Sequence, residues 1–95
     1  MHWSDFALQS LEEIITYYEL EVSLALANRI ETEIFEQIDR IESFPLAAPE
    51  SDVFPGTRKL VILNLPYVAF IRQRTDKQWE VVDIVHSARK LPKSS

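Results

Sequence analysis

Apolar residues recur every three or four positions in the first half of the chain, which is the spacing of helices with one buried face. The two stripes comprise Leu8, Leu11, Ile14, Ile15 and Tyr18, and then Ala27, Ile30, Ile34, Ile38 and Ile41. They predict amphipathic helices over residues 5–19 and 24–44, with Ser4 and Ser23 as N-caps. Pro45 ends the second helix, because the residue before a proline is pushed out of the α region. The short connection between them predicts an antiparallel helix hairpin.

Short runs rich in β-branched and aromatic residues fill the second half of the chain and predict strands. We expect these strands over residues 57–65, 67–73 and 79–86, after a loop (residues 45–56) that holds three of the five prolines and the only glycine. Apolar residues occupy both parities of each run, so the helices should cover one face of the sheet and leave the other available to a partner. This order predicts a single α+β domain over residues 1–95, an N-terminal antiparallel helix hairpin packed on a C-terminal three- to four-stranded antiparallel sheet.

Charge is divided unevenly between the two halves of the chain. Residues 1–55 carry twelve acidic and two basic side chains, whereas residues 56–95 carry eight basic and three acidic ones. The net charge of −5 conceals this division. Such asymmetry indicates one surface for a negatively charged or otherwise specific partner, and the alternative is a solvated acidic helical face with no binding role.

The composition excludes several classes of site. The chain has no cysteine, and its two histidines lie far apart, so we expect neither a disulfide nor a metal site. A single glycine leaves no Gly-rich loop for a nucleotide phosphate, and no cofactor is expected. No apolar run approaches the roughly 20 residues of a membrane span, and the N-terminus lacks the layout of a signal peptide. A cytoplasmic protein that does not contact the membrane is therefore expected.

Several short segments, in this order and spacing, resemble the RelE/ParE superfamily of type II toxins, many of them known as plasmid stabilisation proteins. They are Trp3-Ser4, Tyr17-Tyr18, Phe44-Pro45, residues 57–60 (TRKL), residues 66–68 (PYV) and residues 85–92 (VHSARKLP). The resemblance implies a toxin that a cognate antitoxin neutralises in a hetero-oligomeric complex. It also implies a strand ahead of the helices. Because only three residues precede Ser4, we expect that first strand to be short or missing.

The ParE-like branch of this superfamily inhibits DNA gyrase by binding it, and the resemblance favours this branch. The histidine–x–x–arginine ending and the Pro66-Tyr67 turn fit it well. No catalytic set is established for this branch. The candidates for contact with the target are Arg58, Tyr67, Arg89 and Lys90.

The RelE-like branch offers an alternative, a ribosome-dependent endonuclease that cuts mRNA without a metal ion. His86 would then transfer a proton, and Arg58, Arg72 and Arg89 would stabilise the phosphate. Val68 stands where RelE-like nucleases tend to place an arginine, which disfavours this branch. A second alternative is a weakly toxic or inactive binding module.

The antitoxin is expected to fold a C-terminal segment onto the toxin, either as an amphipathic helix along the helix pair or as a strand added to a sheet edge. Glu12, Glu13, Tyr18 and Glu19 are the candidates for this contact.

Two of the candidate site residues also have structural interpretations. His86 can act as a hydrogen-bonding group at the end of a strand. Arg58 can form an ion pair with Asp83 or Glu80 across the sheet.

Overall fold

The computed structural model describes residues 1–88, and Arg89 and Lys90 lie outside them. The elements are β1 (His2–Trp3), α1 (Asp5–Glu21), α2 (Leu24–Ser43), a short 3₁₀ turn (Pro45–Ala47), β2 (Arg58–Val61), β3 (Tyr67–Gln73) and β4 (Trp79–His86). The predicted α+β fold, with a helix hairpin ahead of the main sheet, is confirmed. The first strand is present but has only two residues.

Both helices begin at the serines that the pattern indicates. The hydroxyl oxygen of Ser4 accepts a hydrogen bond from the Ala7 N–H at 3.0 Å, and that of Ser23 accepts one from the Leu26 N–H at 3.0 Å. The predicted stripe of α1 faces the core from its second member onward, but its first member is wrong, because Ala7 is fully buried while Leu8 is 45% exposed. The interior stripe of α1 therefore starts at residue 7.

The sheet has the order β1-β4-β3-β2, and its antiparallel part comprises β2, β3 and β4. The expected antiparallel sheet is thus confirmed for these three strands, whereas the two-residue β1 pairs parallel to β4 and makes the whole sheet mixed. The predicted strand over residues 57–65 is shorter in the structure, since Ile62 donates its N–H to Tyr67 across a tight turn at 3.0 Å. Asn64 takes the left-handed conformation in that turn, with φ of 67°.

The main core lies between the helix pair and one face of the sheet. Its fully buried members include Ile34, Ile38, Ile62, Ile71, Val81 and Ile84. On the opposite face Val68, Phe70 and Val85 form a second apolar cluster, with Val53 packed against it. The Phe54 ring meets Phe70 edge-to-face at 4.7 Å. The chain's own loop therefore covers part of the face that we expected a partner to cover.

Gln37 closes the outer edge of the sheet at the end of β2. It is buried in α2, and its amide pairs with both backbone groups of Leu63. Gln37 Nε2 donates to the Leu63 carbonyl oxygen at 3.0 Å, and Gln37 Oε1 accepts from the Leu63 N–H at 2.7 Å. The helix side chain thus takes the place of a neighbouring strand at this point of the edge.

Candidate functional site

A groove of about 840 Å³ runs between α1 and the C-terminal end of β4. Its lining residues are Phe6, Ser10, Glu13, Ile14, Tyr17, Tyr18, Tyr67, Asp83, Ile84, Val85, His86 and Ala88. They come from α1, from the start of β3 and from the second half of β4 and the turn after it. The groove is larger than a second cavity of about 480 Å³ beside Arg58, and it combines aromatic with acidic side chains.

The α1 wall of the groove exposes aromatic rings. Phe6, Glu13 and Tyr17 follow one another at seven- and four-residue intervals, which places them on the same side of the helix. Phe6 is 62% exposed and Tyr17 is 58% exposed. Tyr18 turns inward instead, and its hydroxyl oxygen accepts a hydrogen bond from the Tyr67 hydroxyl at 3.2 Å. The helix thus offers an accessible apolar surface beside a fixed tyrosine pair.

A bulge in β4 positions an acidic side chain in the groove. Phe70 pairs with Asp83 and Ile71 with Val81, so Val82 is an extra residue on β4. Just after the bulge, Asp83 Oδ1 accepts hydrogen bonds from the Ser10 hydroxyl at 2.7 Å and from the backbone N–H of Ile84 at 2.8 Å. These two donors fix the carboxylate between α1 and β4.

His86 closes the far end of β4. Its ring packs edge-to-face on Tyr67, with centroids 5.6 Å apart, and its Nδ1 accepts a hydrogen bond from the Ala88 N–H at 3.1 Å. The side chain is half-buried. These contacts agree with the interpretation of His86 as a hydrogen-bonding group that ends the strand.

The main chain of β4 has an open outer edge beside the groove. The Ser87 N–H donates to the carbonyl oxygen of Pro66, the residue before β3, at 2.9 Å. Because every second residue of an antiparallel strand bonds to the same neighbour, Val85 also bonds to β3. The backbone groups of Ile84 and His86 therefore point away from β3. β1 pairs only near the start of β4, and the Ile84 N–H is taken by Asp83. Within the described residues the Ile84 carbonyl and both backbone groups of His86 face an edge that no strand covers.

The groove brings together Glu13, Tyr18, Tyr67 and His86 from the predicted site residues. Glu12 and Glu19 are also exposed on α1 but do not line the groove. The remaining candidates of the described chain, Arg58 and Arg72, lie elsewhere. Arg89 and Lys90 lie outside the described residues.

Arg58 does not form the ion pair with Asp83 or Glu80 that we considered. Its Nη1 donates to the carbonyl oxygen of Ala48 at 2.8 Å, and it lines a separate pocket of about 480 Å³. β2 and β4 are separated by β3, which keeps Arg58 two strands away from both carboxylates. Glu80 instead pairs with Arg72 on the neighbouring strand, with Nε and Oε1 2.9 Å apart.

The side chains of the nuclease alternative are not assembled within residues 1–88. His86 pairs with Tyr67 at the start of β3, whereas Arg58 pairs with Ile71. Four residues of strand separate these positions along β3, or about 14 Å. Arg72 lies one residue farther along β3 and is held by its ion pair. One phosphate cannot contact His86 and both arginines in this arrangement.

Several groove residues were missed by the sequence-based prediction. Phe6 and Tyr17 are aromatic residues outside the predicted apolar stripe of the first helix. Large aromatic side chains on the exposed side of a helix could have indicated a binding surface. Ser10 and Asp83 meet across 73 residues of sequence and carry no local signal.

Among residues 1–88, no three side chains of histidine, aspartate or glutamate lie together as a metal site would require. No helix in the same part of the chain has the length and hydropathy to cross a membrane.

Comparisons with known proteins agree with the fold and extend it to a family. One chain of the chromosomal ParDE TA system from P. aeruginosa has a similar structure, with a TM-score of 0.79 and 23% sequence identity over 90% of this chain and 91% of that chain. No curated protein matches the sequence. The family model described as ParE toxin of type II toxin-antitoxin system, parDE, matches residues 1–91. This chain therefore belongs to the ParE family of type II toxins.

Proposed function

We propose that this protein is a toxin that inhibits DNA gyrase and that a cognate antitoxin neutralises it by binding the groove. Membership of the ParE family, from the match over residues 1–91, is the observation that carries the proposal. The separation of His86 from Arg58 and Arg72 further favours gyrase binding over RNA cleavage. Action on gyrase also implies a cytoplasmic protein.

The antitoxin segment is expected to occupy the groove and pair with the open edge of β4. An extended segment gains main-chain hydrogen bonds at such an edge, while its alternate side chains enter the groove. Exposed Phe6 and Tyr17 supply apolar surface for it. Tyr18 shapes the floor through its hydrogen bond with Tyr67.

The predicted carboxylates of α1 add an electrostatic contribution to this contact. Glu12, Glu13 and Glu19 are exposed, so they should attract basic residues of the antitoxin. Reversing all three to lysine should weaken antitoxin binding roughly tenfold at low salt and less at high salt. The reversal of exposed Asp52 in the loop serves as a control. Equal loss at both salt concentrations would mean that the contact on α1 is apolar.

The candidates for contact with gyrase are Arg58, Tyr67, Arg89 and Lys90. Tyr67 is only 5% exposed, so we expect it to act by shaping the groove rather than through a broad contact of its own. Arg58 keeps part of its side chain accessible beside the second pocket. The basic residues would meet an acidic surface of the target.

Expression in bacteria without any antitoxin tests the proposal directly. Growth arrest with DNA damage signalling, together with loss of supercoiling by purified gyrase, is the expected result. Ribosome-dependent mRNA cuts would instead establish the nuclease. Normal growth from a folded, well-expressed chain would show an inert binding module.

The His86→Ala variant separates gyrase inhibition from RNA cleavage. We expect the variant to arrest growth as the parent does, because a gyrase inhibitor needs no proton transfer from this imidazole. Circular dichroism establishes that the variant is folded. Loss of toxicity from the folded variant, accompanied by loss of mRNA cleavage in the parent-variant comparison, would contradict the assignment.

A further inference from the structure

The groove has a negative charge that the division of the sequence into an acidic and a basic half does not reveal. Its lining holds two carboxylates, Glu13 from α1 and Asp83 from β4, and among residues 1–88 it includes no lysine or arginine. Three tyrosine rings, Tyr17, Tyr18 and Tyr67, line the same groove. Of these rings Tyr17 is exposed, and carboxylates beside an exposed aromatic ring form an environment that stabilises a cationic side chain.

Asp83 is held ready for such a contact. Its Oδ1 accepts two hydrogen bonds, from the Ser10 hydroxyl at 2.7 Å and the Ile84 N–H at 2.8 Å. Within the described chain its Oδ2 has no hydrogen-bond partner, although the residue is half-buried. A donor that reaches Oδ2 therefore meets a carboxylate whose orientation is already fixed, and little side-chain entropy is lost on binding.

We propose that the groove is a specificity pocket for an arginine side chain, carried by an extended partner segment that pairs with β4. This rests on the proposed function, in which the antitoxin supplies the segment. Arginine fits better than lysine because its planar guanidinium donates in a fork to a carboxylate and stacks on tyrosine rings. The ammonium group of lysine is a compact charge on a flexible side chain, so it stacks less well on aromatic rings.

The open edge of β4 sets the conformation of the segment. The outward carbonyl of Ile84 and both backbone groups of His86 can pair with one neighbouring strand, and alternate side chains of that strand would face the groove. The groove side of the added strand then lies beside Asp83 and faces the α1 wall. The arginine is expected at the position of the segment that sits next to Ile84.

The test uses three short peptides and the full chain, without gyrase or antitoxin. The probes are Ac-Leu-X-Leu-NH₂ with arginine, lysine or the neutral isostere citrulline at X, titrated into isotopically labelled protein and followed by NMR. The arginine peptide should shift the amides of Phe6, Tyr17, Asp83 and His86 and bind roughly fivefold more tightly than the citrulline peptide. Lysine should fall between them.

Variants of the two carboxylates identify the groups responsible. Combining Glu13→Gln with Asp83→Asn should remove the preference for arginine over citrulline, while Glu36→Gln, an exposed change on α2, should leave it intact. Asn at position 83 retains an oxygen that can accept from Ser10 and Ile84, so the fold should survive, which the thermal midpoint verifies. If the single variant Glu13→Gln, which keeps Asp83, still prefers arginine over citrulline, the preference comes mainly from the β4 wall of the groove.

Three outcomes would overturn the proposal. The first is equal affinity for the arginine and citrulline peptides, and the second is a set of shifted amides away from the groove. The third is that the arginine peptide shifts these amides only after the groove has been freed of another occupant. If deletion of residues 89–95 is needed, the occupant is the chain's own C-terminal segment. If dilution of a self-associated protein is needed, the occupant is a second copy of the chain. This experiment does not measure toxicity, so a negative result would refute the arginine pocket without refuting gyrase inhibition. Gyrase inhibition is tested separately by the growth and supercoiling assays.

Discussion

The bonds between Gln37 and Leu63 give a strong test of how the helix hairpin stabilises the sheet. Gln37 is 6% exposed, and its side chain makes three hydrogen bonds. Two of them satisfy the N–H and the carbonyl of Leu63, and the third runs from Nε2 to Glu33 Oε1 at 2.8 Å. Replacing Gln37 by methionine keeps the length and most of the volume of the side chain but removes all three bonds.

The expected loss follows from the two bonds to the backbone. A typical hydrogen bond contributes about 1 kcal/mol net, and a partly buried group left without a partner adds to the loss. The bond to Glu33 contributes little, since that carboxylate is half-buried and can bind water. We therefore expect Gln37→Met to lower the free energy of unfolding by about 2–3 kcal/mol, a large share of the ~5–15 kcal/mol of an ordinary domain.

Urea titration and thermal unfolding measure this loss. The denaturation midpoint should fall with little change in slope, and the melting temperature should fall by about 10 °C or more for a domain of this size. Glu33→Ala is the matched control, because it removes only the third bond and should lower stability by less than about 1 kcal/mol. A loss below about 0.5 kcal/mol for Gln37→Met would refute the view that this side chain closes the sheet edge.

Three further substitutions test contacts in other parts of the fold. Ser4→Ala removes an N-cap that also bonds to β4 and should lower unfolding free energy by about 1–2 kcal/mol in urea titration, whereas Ser4→Thr should retain most of it. Phe54→Ala exposes Phe70 and should lower unfolding free energy by about 2 kcal/mol and raise binding of a hydrophobic dye; an unchanged midpoint would show that the loop covers little of this face. Arg72→Ala leaves the nearly buried carboxylate of Glu80 without its main partner and should reduce stability by about 1–2 kcal/mol, part of which Glu80→Gln in the same chain should restore.

Local chemistry explains why much of the fold could be predicted. Ser4 and Ser23 accept the hydrogen bonds expected of N-caps, because a capping hydroxyl acts within three residues of itself. The two long strands, Tyr67–Gln73 and Trp79–His86, cover the residues that their β-rich composition indicated. A short turn between them needs only residues 74–78. These features depend on neighbours in sequence.

The groove could not be predicted in the same way, because its contacts join distant segments. Tyr18 and Tyr67 are 49 residues apart in sequence, and Ser10 and Asp83 are 73 residues apart. The bulge at Val82 changes which side chains of β4 approach α1. The β-branched residues of this strand predict a strand but do not indicate where a bulge occurs. The parallel pairing of a two-residue β1 is likewise set by where the rest of the chain folds.

Arg58 offers a way to learn whether the antitoxin and the target use the same surface. Arg58 lies about 14 Å along the sheet from the His86 end of the groove, so an antitoxin segment confined to the groove leaves it uncovered. If gyrase contacts Arg58, Arg58→Ala should abolish growth arrest while antitoxin affinity changes by less than about twofold. Arg58→Lys, which keeps a donor for Ala48, should retain partial toxicity.

The two measurements on Arg58 variants have separate consequences. Toxicity lost with antitoxin affinity intact means that the two partners bind distinct surfaces, and that neutralisation works by steric blocking or by holding the toxin in one conformation. Loss of both means that the antitoxin extends beyond the groove to the second pocket. Full toxicity of a folded Arg58→Ala protein would remove this residue from the gyrase contact and move the search to the basic residues that follow Ala88.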